Sequence, residues 1–180
     1  MLSAEFLLAK ILERAREILL SGSKLYVVPS LKILLSQKIT SDNISQIDFL
    51  NSFSKVDDYD VFTCVKIWCD SQDKVLSTLS KMMIERKLPK VKISSQKFSV
   101  EELENCKSIH QKILGFSKEE MNYFVYQKEM ENNAYDPRKD EIKILFNDGS
   151  LKDITQASDN LNISALAKPV KKYYLFAPYF

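Results

Sequence analysis

A single histidine, His110, stands among 180 residues, beside three glycines, five prolines and three cysteines. Each shortage excludes something. A His-rich hydrolytic metal centre needs several imidazoles converging on one ion, so this chain cannot build one from its own residues. A phosphate-cradling loop needs glycines where backbone meets ligand, and three scattered glycines cannot supply it. With so little Gly and Pro, long flexible linkers are not expected either. Neither sign of charge dominates: 26 Lys and Arg against 24 Asp and Glu leave +2. Nucleic-acid surfaces carry a concentrated basic stripe, and none is present here. Cys64, Cys69 and Cys106 form no C-x-x-C pair and lie in apolar runs. As small hydrophobes they fit a reducing, cytoplasmic setting rather than a disulfide framework. Lys10, Glu13, Arg14, Arg16 and Glu17 interrupt the apolar amino-terminal stretch, which removes it as a signal peptide or membrane span.

What is present is strong helical patterning, then alternation. Leu7, Leu8, Ile11, Leu12, Ala15, Ile18 and Leu19 recur three and four apart, which predicts an amphipathic helix over 4–20 that stops at Ser21-Gly22-Ser23. Residues 25–28 read as extended, 30–36 as a short helix, 37–46 as a loop and 47–56 as another helical turn or two. Asp57 and Asp60 are placed to offer carboxylates to the first free amides of a helix carrying Val61, Cys64, Val65 and Trp68. A second helix holds Val75, Leu76, Leu79, Met82 and Met83, with Arg86 and Lys87 in its last turn. Pro89 ends it, and Val91 to Ile93 alternates like a strand. Ser99-Val100-Glu101-Glu102 is a capping box opening a helix to Gly115, and Ser117 to Glu120 repeats the pattern before a shorter helix. Residues 124–127 and 141–146 read as strands. Asn147-Asp148-Gly149 signals a hairpin into Leu151 to Ile154. A short helix at 158–167 and a strand at 171–177 complete the chain. The fold expected is α+β: a helical segment over 1–96, then a mixed lobe over 97–180 with a small, mainly antiparallel sheet.

Candidate chemistry within the chain is thin. Cys106 and His110, four apart, have the spacing of a thiol–imidazole pair, but they share a stripe with Leu103 and Ile113, and core packing is the simpler account. Asp57, Asp58 and Asp60 bear oxygens suited to a hard cation, yet their place at a helix start gives capping first. Glu101, Glu102 and Glu104 complement a helix dipole, and Asp136, Lys139, Asp140 and Glu141 read as a solvated loop. The terminal aromatics Tyr173, Tyr174, Phe176, Tyr179 and Phe180 have the look of a last strand and its tail, with Tyr174 and Phe176 packed. No catalytic or metal-binding residue is assigned to the chain alone, and no cofactor.

Three stretches in order carry a family resemblance. They are Asp57-Asp58-Tyr59-Asp60-Val61 through Lys66-Ile67-Trp68 to Asp73-Lys74-Val75-Leu76-Ser77; Ile84 through Val91; and Ile142 to Gly149, Ala157-Ser158-Asp159 and Val170 to Leu175. Together they resemble the region after the catalytic core in bacterial HD-superfamily phosphohydrolases, similar to the SAM- and HD-domain dNTP triphosphohydrolases. The resemblance implies an active site of the His…His-Asp…Asp type with a divalent metal, carried by an upstream HD segment and absent here. It implies an accessory and regulatory role: completing the catalytic body, supporting a homo-oligomer, and binding an effector nucleotide. In those relatives an Arg-x-Leu-x-Lys-like stretch contacts effector phosphates. The matching residues are Arg86, Leu88 and Lys90, with Pro89 where an aromatic is common. The bland account of both cations is that they flank a helix end. The rival to the whole reading is a helical partner-binding or adaptor module with no enzymatic parent.

Overall fold

A computed structural model describes residues 2–37, 40, 47–132, 142–157 and 170–179. Most of the loop expected at 37–46, the charged residues at 136–141, the helix expected at 158–167 and Phe180 lie outside the described residues. The architecture is α+β, as expected.

Helix α1 (Leu2–Leu20) buries Leu7, Ile11 and Ala15, a stripe with a step of four. Helix α2 (Pro29–Ser36) starts on a proline, whose missing N–H costs nothing at that position. Helices α3 (Ile47–Phe53), α4 (Asp58–Trp68) and α5 (Lys74–Ile84) follow. Helix α1 packs against α5 and α2, α2 against α3, and α4 against α5. Strand β1 (Lys90–Ser94), helix α6 (Val100–Leu114), a 3-10 turn (Glu120–Tyr123), and strands β2 (Tyr126–Asn132), β3 (Lys143–Leu145) and β4 (Leu151–Asp153) come next, then helix α7 (Ile154–Ala157) and strand β5 (Val170–Ala177).

The chain forms two compact units. The helical unit comprises 1–91, 100–126 and 176–180, and the mixed unit 92–99 and 127–175. The chain first crosses from the helical to the mixed unit after Val91. Later crossings return α6 and the chain's end to the helical unit, because Met121, Phe124, Val125 and Phe176 are buried there. In the helical unit, Leu7, Ile11, Val65, Trp68, Val75, Leu76, Leu79, Phe124 and Phe176 are all at most 1% exposed. Phe176 meets Phe6 and Tyr126, with ring centroids 5.0 Å apart in each case. Trp68 donates its indole N–H to the Tyr26 carbonyl (2.8 Å), so its one polar atom is satisfied in the core.

Three strands make one sheet in the order β1-β5-β2, and β3 pairs with β4 antiparallel, Leu145 opposite Leu151. The Asn-Asp-Gly signal is realised: Phe146 and Ser150 close the loop, and Gly149 sits at φ 81°. Strand β2 starts at Tyr126, two residues after the expected position, because Phe124 and Val125 are taken into the helical core. Ser117 and Glu120 form the reciprocal capping bonds (2.8 and 3.2 Å), here leading into a 3-10 turn. Among the described residues, no helix is long and apolar enough to cross a membrane.

Candidate functional site

The structure moves Arg86 off its helix. Helix α5 ends at Ile84, so Arg86 and Lys87 lie beyond the last turn in which sequence had put them. The cause is a Schellman cap: the Lys87 amide bonds the Met82 carbonyl (2.9 Å) and the Arg86 amide bonds that of Met83 (3.2 Å). This geometry forces Arg86 to φ 59°, the only non-glycine with positive φ among the described residues. Helix α1 closes with the same two bonds, Ser23 to Ile18 and Gly22 to Leu19, and there the left-handed position is Gly22 at φ 79°. An L-residue with a Cβ costs on the order of 1 kcal/mol in that position. The Arg86 side chain is exposed and has no ion pair among the described residues, whereas Lys87 pairs with Glu85 at 2.8 Å. Lys90 opens β1, exposed, its Nζ 4.0 Å from the Tyr179 ring centroid. Between them Pro89 is buried, and its carbonyl accepts the Ser3 hydroxyl at 2.6 Å. Two exposed cations thus lie on either side of an anchored Pro89.

The other sequence candidates resolve into structural roles. Asp57 accepts from the Asp60 amide (2.9 Å), and Asp60 accepts the Ser30 hydroxyl (3.1 Å), so these carboxylates cap and tie α4. His110 Nδ1 lies 2.8 Å from the Cys106 carbonyl oxygen and 3.7 Å from Cys106 Sγ, and Nε2 lies 3.3 Å from the Pro178 carbonyl oxygen. The ring nitrogen nearer the thiol is spent on backbone, which suits packing rather than nucleophile activation. Among the described residues, no group of three or more His, Cys, Asp and Glu side chains is placed to hold a metal ion.

What sequence missed is a charged cluster beside a cleft of about 720 Å³ in the helical unit. Arg14 grips Asp73 with two bonds (Nε–Oδ1 3.1 Å, Nη2–Oδ2 2.7 Å) and reaches Glu17 with Nη1 (3.1 Å). Tyr123 donates its hydroxyl to the same Glu17 carboxylate. Asp73 also caps α5, accepting the Leu76 amide at 2.8 Å. Burial pushes the Asp73 carboxyl up, but Arg14 and the capping amides outweigh it, and the group sits below the ordinary carboxylate value. Burial first, then the bond to Glu17, pushes the Tyr123 phenol up to about 12, so it stays a donor through neutral pH. With every guanidinium arm directed at a carboxylate, Arg14 is a clamp between α1 and α5, not a free anion site. The apolar wall of the cleft is Ile18, Leu25, Tyr26, Ile67 and Trp68. No local signal marks this cluster, since Arg14 and Asp73 are 59 residues apart.

The chain is similar to a phosphohydrolase. That relative, from Bacteroides thetaiotaomicron VPI-5482 and known from a crystal structure, superposes with a TM-score of 0.84 at 38% sequence identity, over 99% of this chain and 44% of that one. The chain therefore spans less than half the length of the relative it matches. No family model matches, and no curated protein matches.

Proposed function

We propose that the chain is the accessory and regulatory part of an HD-type nucleotide phosphohydrolase, following the catalytic body and not catalytic alone. The observation that carries this reading is the match of nearly the entire chain to under half of a phosphohydrolase. The remainder of such an enzyme would supply the His…His-Asp…Asp ligands and the divalent metal, while this part supports the body and its subunit contacts. The scarcity of imidazole, one ring in 180 residues, agrees with that division. The test is a longer in-frame product carrying the HD motif upstream. It is expected to release phosphate from nucleotides only with divalent metal. A genome in which no such segment precedes this sequence would overturn the reading.

Within that role, Arg86 and Lys90 bind the phosphates of an effector nucleotide. Support comes from the backbone. A side chain held at φ 59° where α1 uses glycine is a strained placement, and strain at one position is the kind of feature function maintains. Guanidinium and ammonium groups suit a polyphosphate, the first by its planar fork and the second as a point charge. Calorimetric titration with nucleoside triphosphates is expected to show binding that the Arg86→Ala, Lys90→Ala double variant loses. Equal affinity in that variant would remove the site.

A further inference from the structure

An aromatic ring stands against Lys90, and the backbone on both sides of that contact is anchored. Pro178, just before Tyr179, is buried, with its carbonyl oxygen 3.3 Å from His110 Nε2, and Phe176 is buried in the helical core. On the other side, Pro89 is buried and its carbonyl accepts the Ser3 hydroxyl, which fixes the chain where Lys90 opens β1. All of these residues belong to the helical unit. Both stems are held while both heads reach solvent. Lys90 Nζ lies 4.0 Å from the Tyr179 ring centroid, a cation–π contact. The residue is still 56% exposed with Lys90 against it, so the ring has surface left for a second partner. Nor is the ammonium used up, because it carries three donors and a ring face takes only part of them. Inorganic polyphosphate would need the cations alone. A tyrosine ring beside them adds something no phosphate can use, a flat surface that attracts the π-face of a base. A base resting on the ring at van der Waals distance, ~3.5–4.0 Å, keeps its own phosphates within reach of an ammonium so close to the ring centre.

We infer that Tyr179 recognises the base of the effector, its ring stacking on the nucleobase while Lys90 and Arg86 hold the phosphates. This rests on the effector reading of Arg86 and Lys90 and adds to it the residue that tells a nucleotide from a bare polyphosphate. Calorimetric titration of the 180-residue chain with ATP and with inorganic tripolyphosphate separates the two claims, with circular dichroism of each variant as the check on folding. Both ligands are expected to bind the wild type. Tyr179→Leu should weaken ATP about tenfold and leave tripolyphosphate within about twofold, since only ATP has a base to stack. Tyr179→Phe keeps the ring and should bind both ligands as the wild type does. A wild type that binds neither ligand removes the effector site and this role with it. ATP affinity unchanged in Tyr179→Leu removes the role of the ring and leaves the phosphate site standing. An equal loss of both ligands in that variant does the same, because the ring would then only position Lys90. If Tyr179→Leu misfolds, the wild type decides the matter by nuclear magnetic resonance. Base protons of saturating ATP should show nuclear Overhauser contacts to the Tyr179 ring, and their absence overturns the inference.

Discussion

Of the twenty buried hydrophobic side chains among the described residues, only Phe98 and Leu175 belong to the mixed unit. The helical unit holds the rest. Its helices meet along stripes spaced three and four apart, so each contributes several side chains to one core. The mixed unit instead shows Ile142, Ile144, Leu145 and Leu151 at 37–68% exposure on a two-stranded hairpin. Two strands alone are marginally stable in water. Among the described residues, the contrast is between a well-packed helical core and a hairpin whose apolar side chains are exposed.

Four substitutions and one exchange experiment would break or sharpen that contrast. Truncating Trp68 to Ala should cost about 3–5 kcal/mol in urea unfolding, since it leaves a large cavity and an unpaired Tyr26 carbonyl in the helical core. A cost near zero would mean the helical unit is not the stable one. Asp73→Asn comes next, at about 2 kcal/mol, from the lost charge on a cap and a two-bond ion pair. Its pH dependence has a definite sign. The folded carboxyl lies below its unfolded value, so its stabilisation is complete above the unfolded value and disappears as pH falls through the folded one. The acid limb of the wild-type stability curve should therefore flatten in Asp73→Asn. Arg86→Gly should act the other way and stabilise by about 0.5–1 kcal/mol, read as a raised urea midpoint, by relieving the left-handed strain. Smallest of all, Leu151→Ala in the hairpin should change stability by under about 0.5 kcal/mol. Hydrogen exchange provides the parallel map, with slow amides in α1 and α5 and fast ones in β3 and β4.

How much of this was legible in the sequence follows from range. Periodicity and capping chemistry are local, so α1, the Asp57 cap, the Ser117–Glu120 box and the Asn-Asp-Gly turn could all be read from neighbouring residues. The left-handed position at Arg86 could not, because only the hydrogen bonds of the finished cap reveal it. Nor could the Arg14–Asp73 clamp, whose partners are joined by packing of α1 on α5 rather than by spacing. Strand β2 was placed early for a related reason: Phe124 and Val125 have strand-like side chains, and the helical core claims them first. Sequence spacing shows Arg86 and Lys90 four apart, but not the buried Pro89 between them or the Tyr179 ring beside Lys90.

Phe176 stacks on Tyr126 and leans on Phe6, which makes the final strand's end a component of the first helix's core. A ribosome releases Phe6 long before it releases Phe176. During synthesis α1 must therefore wait with one side of its packing open, and a chaperone that shields that opening could act while the residues between Phe6 and Phe176 emerge. Packing of α1 is completed only when a far later stretch of the chain has emerged.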